Sequence, residues 1–508
     1  MRDRVKIELL PLGKTLTIER GASLQDVLFS QGVEFPCGGR GRCKGCKIKV
    51  LHGLQPPTPD EKEKLSAAEL ADGWRLSCRT HAEADLKIEL AQWEATILAD
   101  DSEFIFTPRE GLGIAIDLGT TTLVAQLVDL KTGQVRAVRT AFNPQARYGA
   151  DVMSRIEAAM SGKQVLLTQI IRQRIGELIA ELFLAAVAEP NEVKRIVLVG
   201  NTVMHHLFCG IEVEPLSHDP FEPTRAGLEI FSAAQLGWEN CANAKIYFLP
   251  CLGSFVGSDI LAGILATDMH KSNLPVVLID LGTNGEIVVG NRERMLCAST
   301  AAGPAFEGAR ISMGMRATSG AISEVNMHDG RIICRALGNI EPSGICGSGL
   351  VDAVAASLDL GWLKPSGRII NGELLPIAGP VSLTQCDIRE LQFAKGAIAA
   401  GIRILAQQWG IKLRDVSKVF LAGAFGNYIN RASAQRIGLL QFPSEKIRPA
   451  GNSALLGAKM ALFNDREEEF CYPEIRAKVK HVSLNEDVEF QNIYAEEMVF
   501  PANVSQLS

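Results

Sequence analysis

Four cysteines near the start of the chain have the spacing of a ligand set. Cys37, Cys43 and Cys46 lie in one glycine-rich loop, and Cys78 follows Cys46 after 31 intervening residues. Thiolates bind soft metals and iron–sulfur clusters, and three of them on one loop can surround a small inorganic group while a fourth closes the site. The four cysteines therefore predict a metal or cluster site, and the glycines between them let the backbone bend around it.

Four cysteine ligands suit either a [2Fe–2S] cluster or a zinc ion. A zinc ribbon normally has two C-x₂-C pairs, whereas this region has one, at Cys43 and Cys46. The cluster is therefore the favoured interpretation and zinc is the alternative. The other eight of the twelve cysteines are scattered singly between Cys209 and Cys471, and most of them are expected to be small apolar side chains without a ligand role.

Residues 1–95 resemble a [2Fe–2S] ferredoxin of the β-grasp type. Short alternating strand patterns surround the glycine-rich loops, and Thr58-Pro-Asp-Glu61 predicts a helix that starts with a capping box. The first gap of five residues between cysteines is similar to the adrenodoxin-like branch of these proteins. The resemblance implies a cluster bound by Cys37, Cys43, Cys46 and Cys78.

The predicted cluster loop is surrounded by basic side chains. No acidic residue lies between positions 37 and 49, where ferredoxins are commonly acidic. Charge complementarity mainly guides the encounter of two proteins, so the basic loop favours an acidic electron donor or acceptor, and a solvated face without a partner is the alternative. The residues are Arg40, Arg42, Lys44, Lys47 and Lys49.

A second set of candidate residues belongs to a sequence that occurs twice. Asp117-Leu-Gly-Thr120 and Asp280-Leu-Gly-Thr283 lie 163 positions apart, each after an apolar strand pattern. Such a turn can hold phosphate oxygens with its hydroxyl and backbone N–H groups, while the aspartate binds Mg²⁺ directly or through water. Because a third strand is followed by the glycine-rich segment Leu421–Asn427, the two copies together predict a nucleotide site.

The elements that must position these turns alternate between strands and helices. Residues 163–188 have a helical apolar pattern, whereas residues 113–119, 195–201, 276–282 and 419–426 are strand-like. This alternation is typical of α/β layers, and a repeat of this length is typical of a duplicated domain. Two facing lobes are therefore expected, each with an aspartate and a Gly-Thr turn at the end of a strand.

Residues 111–463 resemble the superfamily of acetate and sugar kinases, heat-shock chaperones and actin. Its members have two lobes, with ATP in the cleft between them. The resemblance implies three groups of nucleotide-binding residues. They are Gly119, Thr120, Thr121 and Thr122 in the first phosphate turn, Gly282, Thr283 and Asn284 in the second, and Gly423 and Gly426 in the adenosine motif.

Three acidic residues are the candidate catalytic groups of this cleft. Asp117 and Asp280 end the two strands, and Glu286 lies two residues after Asn284. Glu286 could position the attacking water, and exposure to solvent is the alternative. The catalytic base and substrate pocket of the kinases have no counterpart that we recognise in the sequence, so phosphoryl transfer to a metabolite is not supported.

A histidine pair is a further possible ligand set. His205 and His206 follow a strand and precede Leu207 and Phe208. In this setting core packing or helix capping is the favoured interpretation, and the pair is not among the predicted metal ligands.

The order of the ferredoxin-like and ATPase-like parts, together with four further motifs, indicates a narrower family. Together they resemble the reductive activators of corrinoid proteins, which couple ATP to the reduction of inactive Co(II) to Co(I), over nearly the whole chain. Within these motifs, Arg155 could pair with Asp151 or reach a phosphate. The motifs are Asn143-Pro-Gln145, Asp151-Val-Met-Ser-Arg-Ile156, Gly200-Asn-Thr-Val-Met-His-His206 and Gly303-Pro-Ala-Phe-Glu-Gly308.

An activator of this family is an ATP-dependent iron–sulfur oxidoreductase. The resemblance implies a [2Fe–2S] cluster, ATP and Mg²⁺ as cofactors and a corrinoid protein as electron acceptor. It also implies a low-potential ferredoxin or reductase as electron donor, and it admits a homodimer. Two alternatives remain open. One is a nucleotide-sensing ferredoxin-type carrier for another low-potential metalloenzyme, and the other is a small-metabolite kinase.

The composition argues against several other classes of protein. The chain has 508 residues, of which 47% are hydrophobic and 22% charged, and its net charge is −6. It has no apolar stretch of the roughly 18 residues that span a bilayer, so a membrane protein is not expected. The lack of a long basic tract disfavours nucleic acid as a partner. Charges among the first residues leave no secretory signal, so the expected location is the cytoplasm.

The fold class expected from these patterns combines two types of domain. It is an α+β β-grasp ferredoxin domain followed by a two-lobed α/β actin-like ATPase domain with duplicated subdomains. The expected division is a ferredoxin domain at 1–95, a linker at 96–110 and an ATPase domain at 111–508. Within the ATPase domain, lobe one is expected at about 111–270, lobe two at about 271–463 and a C-terminal extension at 464–508.

Overall fold

The computed structural model describes most of the chain. The described residues are 4–10, 14–29, 46–90, 104–308, 310–318, 320–328, 330–339, 341–370 and 372–502. The strands are β1 Arg4–Leu10, β2 Lys14–Glu19, β3 Lys47–His52, β4 Trp74–Leu76, β5 Leu86–Leu90, β6 Leu112–Leu118, β7 Thr122–Asp129, β8 Val135–Phe142, β9 Val193–Val199, β10 Glu229–Ser232, β11 Lys245–Phe248, β12 Val276–Leu281, β13 Gly285–Gly290, β14 Met295–Thr300, β15 Ala321–His328, β16 Arg331–Ala336, β17 Gly344–Ile345, β18 Leu374–Ala378, β19 Val381–Thr384, β20 Lys418–Ala422, β21 Ile447–Gly451 and β22 Val479–His481. The α-helices are α1 Leu24–Phe29, α2 Pro59–Lys64, α3 Ala67–Ala71, α4 Val152–Ala158, α5 Gln164–Ala186, α6 Thr202–Cys209, α7 Ala233–Leu236, α8 Ser258–Ala266, α9 Gly347–Asp359, α10 Gln385–Trp409, α11 Gly423–Tyr428, α12 Arg431–Arg436, α13 Ser453–Ala461, α14 Pro473–Arg476 and α15 Phe490–Met498.

The first sheet contains five strands in the order β2-β1-β5-β3-β4. Strands β1 and β5 are parallel and the other neighbours are antiparallel. Alternate residues of β1, namely Val5, Ile7 and Leu9, are buried, as expected for a sheet with one face on a core. Helix α2 begins at the predicted capping box, in which the Thr58 side chain and the Glu61 carboxylate each accept the other residue's backbone N–H.

Two six-stranded sheets share the arrangement of five strands and differ in the sixth, which is β10 beside β11 in the first sheet and β22 beside β14 in the second. In the first, β6, β7 and β8 form an antiparallel meander while β9 and β11 continue parallel to β6. In the second, β12, β13 and β14 form the meander while β20 and β21 continue parallel to β12. The hairpins β6–β7 and β12–β13 are therefore equivalent, and each carries one Asp-Leu-Gly-Thr turn.

Helices α8 and α13 pack closely against each other. A Cβ atom on Gly457 would lie 2.1 Å from the carbonyl oxygen of Ala262, so this contact excludes any side chain larger than hydrogen at Gly457. Helix α13 shares a buried core with β6 and β9 of the first sheet, whereas α8 shares one with β12 and β13 of the second. The two helices thus connect the two sheets through their own contact.

The segment before β6 is attached to the end of α13. The Phe106 ring lies 4.4 Å from the Phe463 ring and the Phe104 ring lies 5.4 Å from it, measured between centroids. Arg109 donates a 3.1 Å hydrogen bond to the carbonyl oxygen of Phe463 and forms an ion pair with Asp465. Residues 104–110 are therefore docked on the ATPase part of the chain.

The last described residues complete the second sheet and its helical layer. Strand β22 pairs in parallel with β14, and α15 packs on α10. Lys395, which is fully buried on α10, donates a 2.9 Å hydrogen bond to the carbonyl oxygen of Val499. Gln392 donates a 2.7 Å bond to the carbonyl oxygen of Met498, so the C-terminal segment is bound along α10 by two buried donors.

The fold class predicted from the sequence is confirmed. A small α+β domain of ferredoxin type precedes two α/β units that share the arrangement of five strands, and the long helical pattern at 163–188 corresponds to α5. Parts of the predicted cluster loop and of the predicted linker lie outside the described residues. Searching the described part of the chain for a helix both apolar and long enough to cross a bilayer gave no candidate.

Candidate functional site

Two of the four predicted cluster ligands lie side by side in the ferredoxin-type domain. The Sγ atoms of Cys46 and Cys78 are 3.4 Å apart, and both residues are buried. Cys46 precedes β3, while Cys78 follows β4 in a short 3₁₀ turn. The antiparallel pairing of Lys47 with Leu76 between these strands brings the two cysteines together.

The chemistry of this pair suits a shared metal atom. Two thiolates bound to one tetrahedral metal at about 2.3 Å are roughly 3.7 Å apart, close to the distance between Cys46 and Cys78. Leu76 donates its backbone N–H to the Glu61 carboxylate over 2.8 Å, and Ser77 donates its backbone N–H to the Cys46 carbonyl oxygen over 3.0 Å. These bonds fix the segment that carries Cys78. The other predicted ligands, Cys37 and Cys43, lie outside the described residues.

The two predicted phosphate turns face each other across a cleft. The hydroxyl oxygens of Thr121 and Thr283 are 3.3 Å apart, one from each six-stranded sheet. Each turn closes on itself, because Gly119 donates its N–H to the carbonyl oxygen of Thr122 and Gly282 donates to that of Asn284. The 163-residue repeat therefore becomes a pair of opposed turns, as predicted.

Three of the sequence motifs meet at the first phosphate turn. Asn143 donates a 2.9 Å hydrogen bond to the carbonyl oxygen of Gly119, and Asn201 donates a 2.8 Å bond to the hydroxyl of Thr120. The fully buried Arg155 donates to the carbonyl oxygen of Thr120. These side chains hold the turn in place, a role that could not be assigned to them from their motifs alone.

The contacts of Arg155 give it a role other than the two that were predicted. Its guanidinium bonds to the Thr120 and Gly149 carbonyl oxygens, while the Asp151 carboxylate caps α4 by accepting the N–H of Ser154 at 2.8 Å. The charge of Asp151 raises the pKa of Arg155, although burial lowers it overall to about 9. Arg155 therefore supports the turn from behind.

The fourth motif supplies a partner for the second turn. Glu307 accepts a 2.7 Å hydrogen bond from the hydroxyl of Thr283, and burial raises the pKa of this carboxyl. Glu307 lies on the cleft next to Phe306, whose ring stacks on that of Phe425 with 4.5 Å between centroids. The stacked pair gives the cleft an apolar wall near the start of α11.

Glu286 lies beside Asp280. The two residues are directly opposite each other on the antiparallel strands β12 and β13, so their side chains occupy the same face. Glu286 is 8% exposed and accepts a 3.2 Å hydrogen bond from Ser299. Of the two interpretations, the structure thus places Glu286 inside the cleft, beside a phosphate turn. The equivalent partner of Asp117 in the first hairpin is Val124.

Besides Glu307, the cleft contains four carboxyl groups whose pKa values are raised. Burial raises the pKa of Asp117 to about 6, against a hydrogen bond from Asn452 that lowers it. Burial and the charge of Asp117 raise the pKa of Asp280 to about 7. Burial and neighbouring aspartates also raise the pKa values of Asp259 and Glu286. Such a cluster is costly without a cation. Because no three of these side chains converge on one point, a divalent cation here would be held by one or two carboxylates together with phosphate oxygens.

Gly423 lies where a backbone must approach the second aspartate. It follows β20 with φ of +84°, and a Cβ atom there would lie 2.6 Å from Oδ1 of Asp280. Gly426, in contrast, packs on the Leu421 side chain and does not line the cavity. The two glycines of the predicted adenosine motif thus have different roles, because Gly423 lies beside the cleft whereas Gly426 lies within α11 and packs against Leu421 of β20.

The cleft encloses a cavity of about 300 Å³. Its lining includes every predicted catalytic and nucleotide-binding residue except Gly426. Residues that were not predicted also line it, and they come from the beginnings of helices or from loops between strands. They are Asn201, Asp259, Phe306, Glu307, Met315, Arg316, Cys346, Ser348, Phe425, Tyr428 and Asn452, among others.

The histidine pair on α6 lies in the core. His205 and His206 are fully buried, and the His205 ring packs on Phe248 with 4.8 Å between centroids. His206 contacts the carbonyl oxygen of Thr202 through Nδ1 at 2.8 Å. This placement agrees with the core interpretation. In the ranges that the structure describes, no three His, Cys, Asp or Glu side chains converge on a possible metal position.

Models of known protein families cover most of the chain. Residues 7–83 match a 2Fe-2S iron–sulfur cluster binding domain. Residues 112–272 match the RACo middle region, and residues 275–508 match the C-terminal domain of RACo, the ASKHA domain. The first match supports an iron–sulfur cluster and the third supports nucleotide binding.

Three known proteins are similar to this chain over most of its length. The chain is 34% identical to the corrinoid activation enzyme RamQ of Eubacterium limosum, over 77% of this chain and 71% of that protein. It is 29% identical to a [Co(II) methylated amine-specific corrinoid protein] reductase of Methanosarcina barkeri, over 76% of this chain and 77% of that protein. A solved structure of a reductive activator for a corrinoid, iron–sulfur protein is 27% identical and aligns with a TM-score of 0.69, covering 98% of both chains. The chain therefore belongs to the family of reductive activators of corrinoid proteins.

Proposed function

We propose that this protein reduces the Co(II) of a corrinoid protein to Co(I) with one electron from its own [2Fe–2S] cluster, driven by binding and hydrolysis of Mg-ATP. The observation that carries the proposal is the presence, in one chain, of a buried cysteine pair and a cleft between two opposed Asp-Leu-Gly-Thr turns. The names of the relatives support a corrinoid protein as the electron acceptor.

The cluster would be held by Cys37, Cys43, Cys46 and Cys78. When bound, it supplies a one-electron carrier near −400 mV, the approximate potential of plant-type centres. The chain's own contribution is to bury Cys46 and Cys78 against a sheet, which keeps water from the metal, and to hold their sulfur atoms 3.4 Å apart.

The cleft would bind ATP with its phosphates between the two turns. Gly119, Thr120, Thr121 and Thr122 of the first turn and Gly282, Thr283 and Asn284 of the second offer hydroxyl, amide and backbone N–H donors. Asp117 and Asp280 would hold Mg²⁺ directly or through water, and Gly423 leaves room for the nucleotide beside Asp280.

Hydrolysis needs an oriented water molecule in addition to bound phosphate. In the reaction, the oxygen of water bonds to the γ-phosphorus, the bond to the β,γ-bridging oxygen breaks, and ADP leaves with that oxygen while the water protons pass to the products and solvent. Glu286 accepts a hydrogen bond from Ser299 and lines the cavity, and in this proposal it orients the water once a bound cation has displaced its proton.

The need for ATP follows from the direction of electron flow. The Co(II)/Co(I) couple of a corrinoid lies below the cluster, so transfer is uphill, and each 100 mV costs one electron about 2.3 kcal/mol. Nucleotide can offset this cost only if two lobe states differ in affinity for the oxidised and reduced partner. The cleft then acts as a clamp on the corrinoid protein.

Several further features belong to the same proposal. A low-potential ferredoxin or reductase would supply the electron, the chain would form a homodimer, and the reaction would take place in the cytoplasm. We retain the division into a ferredoxin domain at 1–95, a linker at 96–110 and an ATPase domain at 111–508, with lobes at about 111–270 and 271–463 and an extension at 464–508.

The direct test measures the reduction of Co(II) to Co(I). The protein is purified without oxygen, reduced with a low-potential donor and mixed with a Co(II) corrinoid protein, and Co(I) is followed by its absorbance with and without Mg-ATP. We expect Co(I) only with Mg-ATP, and faster ATP hydrolysis when the Co(II) partner is present. If Co(I) forms equally well without nucleotide, or if the rate of ATP hydrolysis does not depend on the Co(II) partner, the results would instead support a nucleotide-sensing carrier.

Binding of Mg²⁺ and nucleotide is expected to release protons. The carboxyl groups of Asp117, Asp259, Asp280 and Glu286 have raised pKa values, so the free protein retains protons near neutral pH that a bound cation displaces. Affinity for Mg-ADP should therefore increase from pH 6 to pH 8. Calorimetry at pH 7 in two buffers of different ionisation enthalpy should show about one proton released per nucleotide.

The free energy of unfolding should depend on pH in the opposite direction to the affinity for Mg-ADP. Because the folded state holds protons that the unfolded chain has already lost, the free energy of unfolding of the nucleotide-free protein should fall as the pH rises from about 5 to 8.

The Glu286→Gln variant should release fewer protons on nucleotide binding than the parent. The Asp268→Asn variant, at an exposed ion pair with Lys271, should behave like the parent. Binding without proton release in the parent would contradict this reading of the cleft.

A further inference from the structure

One basic side chain reaches the cleft from the second six-stranded unit. Arg316 lies in a loop between α8 and α9 in the sequence. The residue before it, Met315, donates its backbone N–H to the carbonyl oxygen of Ile345 over 2.9 Å. The Arg316 guanidinium lies over the ring of Phe142, 4.4 Å from its centroid. Phe142 ends β8 of the first unit, so this cation–π contact joins the two units across the cleft.

The contact places Arg316 beside the first phosphate turn. Phe142 pairs with Thr122 in the ladder between β7 and β8, so the two side chains occupy the same face of the sheet. Thr122 and Arg316 both line the cavity. A guanidinium on the Phe142 ring is thus one strand away from the site where the phosphates are expected.

The backbone that presents Arg316 is tightly packed. A Cβ atom on Gly314 would lie 2.0 Å from the carbonyl oxygen of Gly308, and a Cβ on Gly344 would lie 2.6 Å from the Met315 sulfur. Gly308 itself has φ of +79° and no space for a side chain beside Met315. Close packing of these glycines therefore holds the backbone on either side of Arg316 in place.

The charges that line the cleft indicate a role for Arg316 in binding an anion. Among the described lining residues Arg316 alone has a basic side chain, whereas five carboxyl groups line the same cavity. A bound triphosphate carries about four negative charges, and one divalent cation neutralises only half of them. Burial lowers the pKa of Arg316 to about 9, so the guanidinium keeps its charge at neutral pH.

We propose that Arg316, which lines the cleft beside the first phosphate turn, binds the γ-phosphate of ATP. The inference rests on the proposed ATP site and adds a specificity residue that distinguishes ATP from ADP. An arginine is suited to this task because its planar donors bind phosphate oxygens in pairs. During hydrolysis the same donors stabilise the charge that develops on the γ-phosphoryl oxygens.

The test compares two nucleotides in one variant. We expect Arg316→Gln to weaken binding of the β,γ-imido analogue of Mg-ATP by about 10- to 100-fold, the range for hydrogen bonds to a charged group, while Mg-ADP binds within threefold of the parent. Arg316→Lys, which keeps the charge without the paired donors, should show an intermediate loss for the analogue. Thermal denaturation and the visible absorbance of the cluster verify that each variant is folded.

Arg310→Gln is the matched control, because Arg310 is exposed in the same loop and contacts only Glu390, at 4.0 Å, among the ion pairs of the described residues. It should bind both nucleotides like the parent. Equal weakening of the analogue and of ADP in folded Arg316→Gln, or no change in either, would overturn the assignment. Since binding is measured without a corrinoid protein, a parent that binds both nucleotides but reduces no cobalt would refute the proposed function and leave this test intact.

Discussion

Replacing Cys78 with alanine is expected to remove the iron–sulfur cluster and to lower Co(II) reduction to the background rate. Cys78 lies 3.4 Å from Cys46 at the buried end of the ferredoxin-type sheet, and loss of one thiolate leaves an incomplete ligand set. Binding of Mg-ADP should remain unchanged, because the cleft between the two six-stranded sheets is built without this residue. Visible absorbance, electron paramagnetic resonance of the reduced protein and Co(I) formation measure the effect.

Cys386→Ala provides the control for this variant. Cys386 is exposed at the start of α10, and its replacement should leave cluster content and turnover unchanged. A Cys78→Ala protein that turns over at the parental rate would exclude electron transfer through the cluster, and it would favour a kinase in which the cluster has no catalytic part.

Asp280→Asn is expected to lower ATP hydrolysis by about 10²- to 10³-fold, and corrinoid reduction with it. The substitution keeps the size of the side chain but removes a carboxylate that lies opposite Glu286 on the adjacent strand and within the field of Asp117. Loss of one preorganised electrostatic contact in a dry site has an effect of this order. Phosphate release and Co(I) formation, each measured at saturating Mg-ATP, report the two losses.

Whether kcat or KM changes in the Asp280→Asn variant identifies the role of Asp280. A fall in kcat with little change in KM is expected, because the metal-bound phosphate must be held in place during the reaction. Asp268→Asn removes a carboxylate of the same type at an exposed ion pair with Lys271 and should leave both constants unchanged. Parental hydrolysis by Asp280→Asn would show that the second turn is only structural.

Local patterns predicted the main elements of the fold because each rests on contacts between near neighbours in sequence. The capping box at Thr58–Glu61 determines where α2 begins, and the apolar pattern of residues 163–188 determines α5. The duplicated turns were equally visible, since a strand, an aspartate and a Gly-Thr turn follow one another directly. The structure then shows that the two copies are opposed at 3.3 Å between Thr121 and Thr283.

Residues that reach the cleft from distant segments were not predictable in the same way. Asp259 opens α8 and Asn452 caps α13, and nothing in either local sequence indicates that both point to the same site. Arg155, Asn143 and Asn201 were visible only as parts of motifs, and their shared task of holding the first phosphate turn depends on tertiary packing. Charge and spacing alone could not reveal this convergence.

The docking of Phe104 and Phe106 on Phe463 sets the reach of the cluster. From the end of β5 at Leu90 to Phe104 the chain has only 14 residues, which span at most roughly 50 Å when fully extended. The ferredoxin-type domain is therefore confined to a small volume around one end of α13, at an effective concentration in the millimolar range. A separate ferredoxin would have to be present at that level to compete with this chain's own electron carrier for an acceptor bound to the chain.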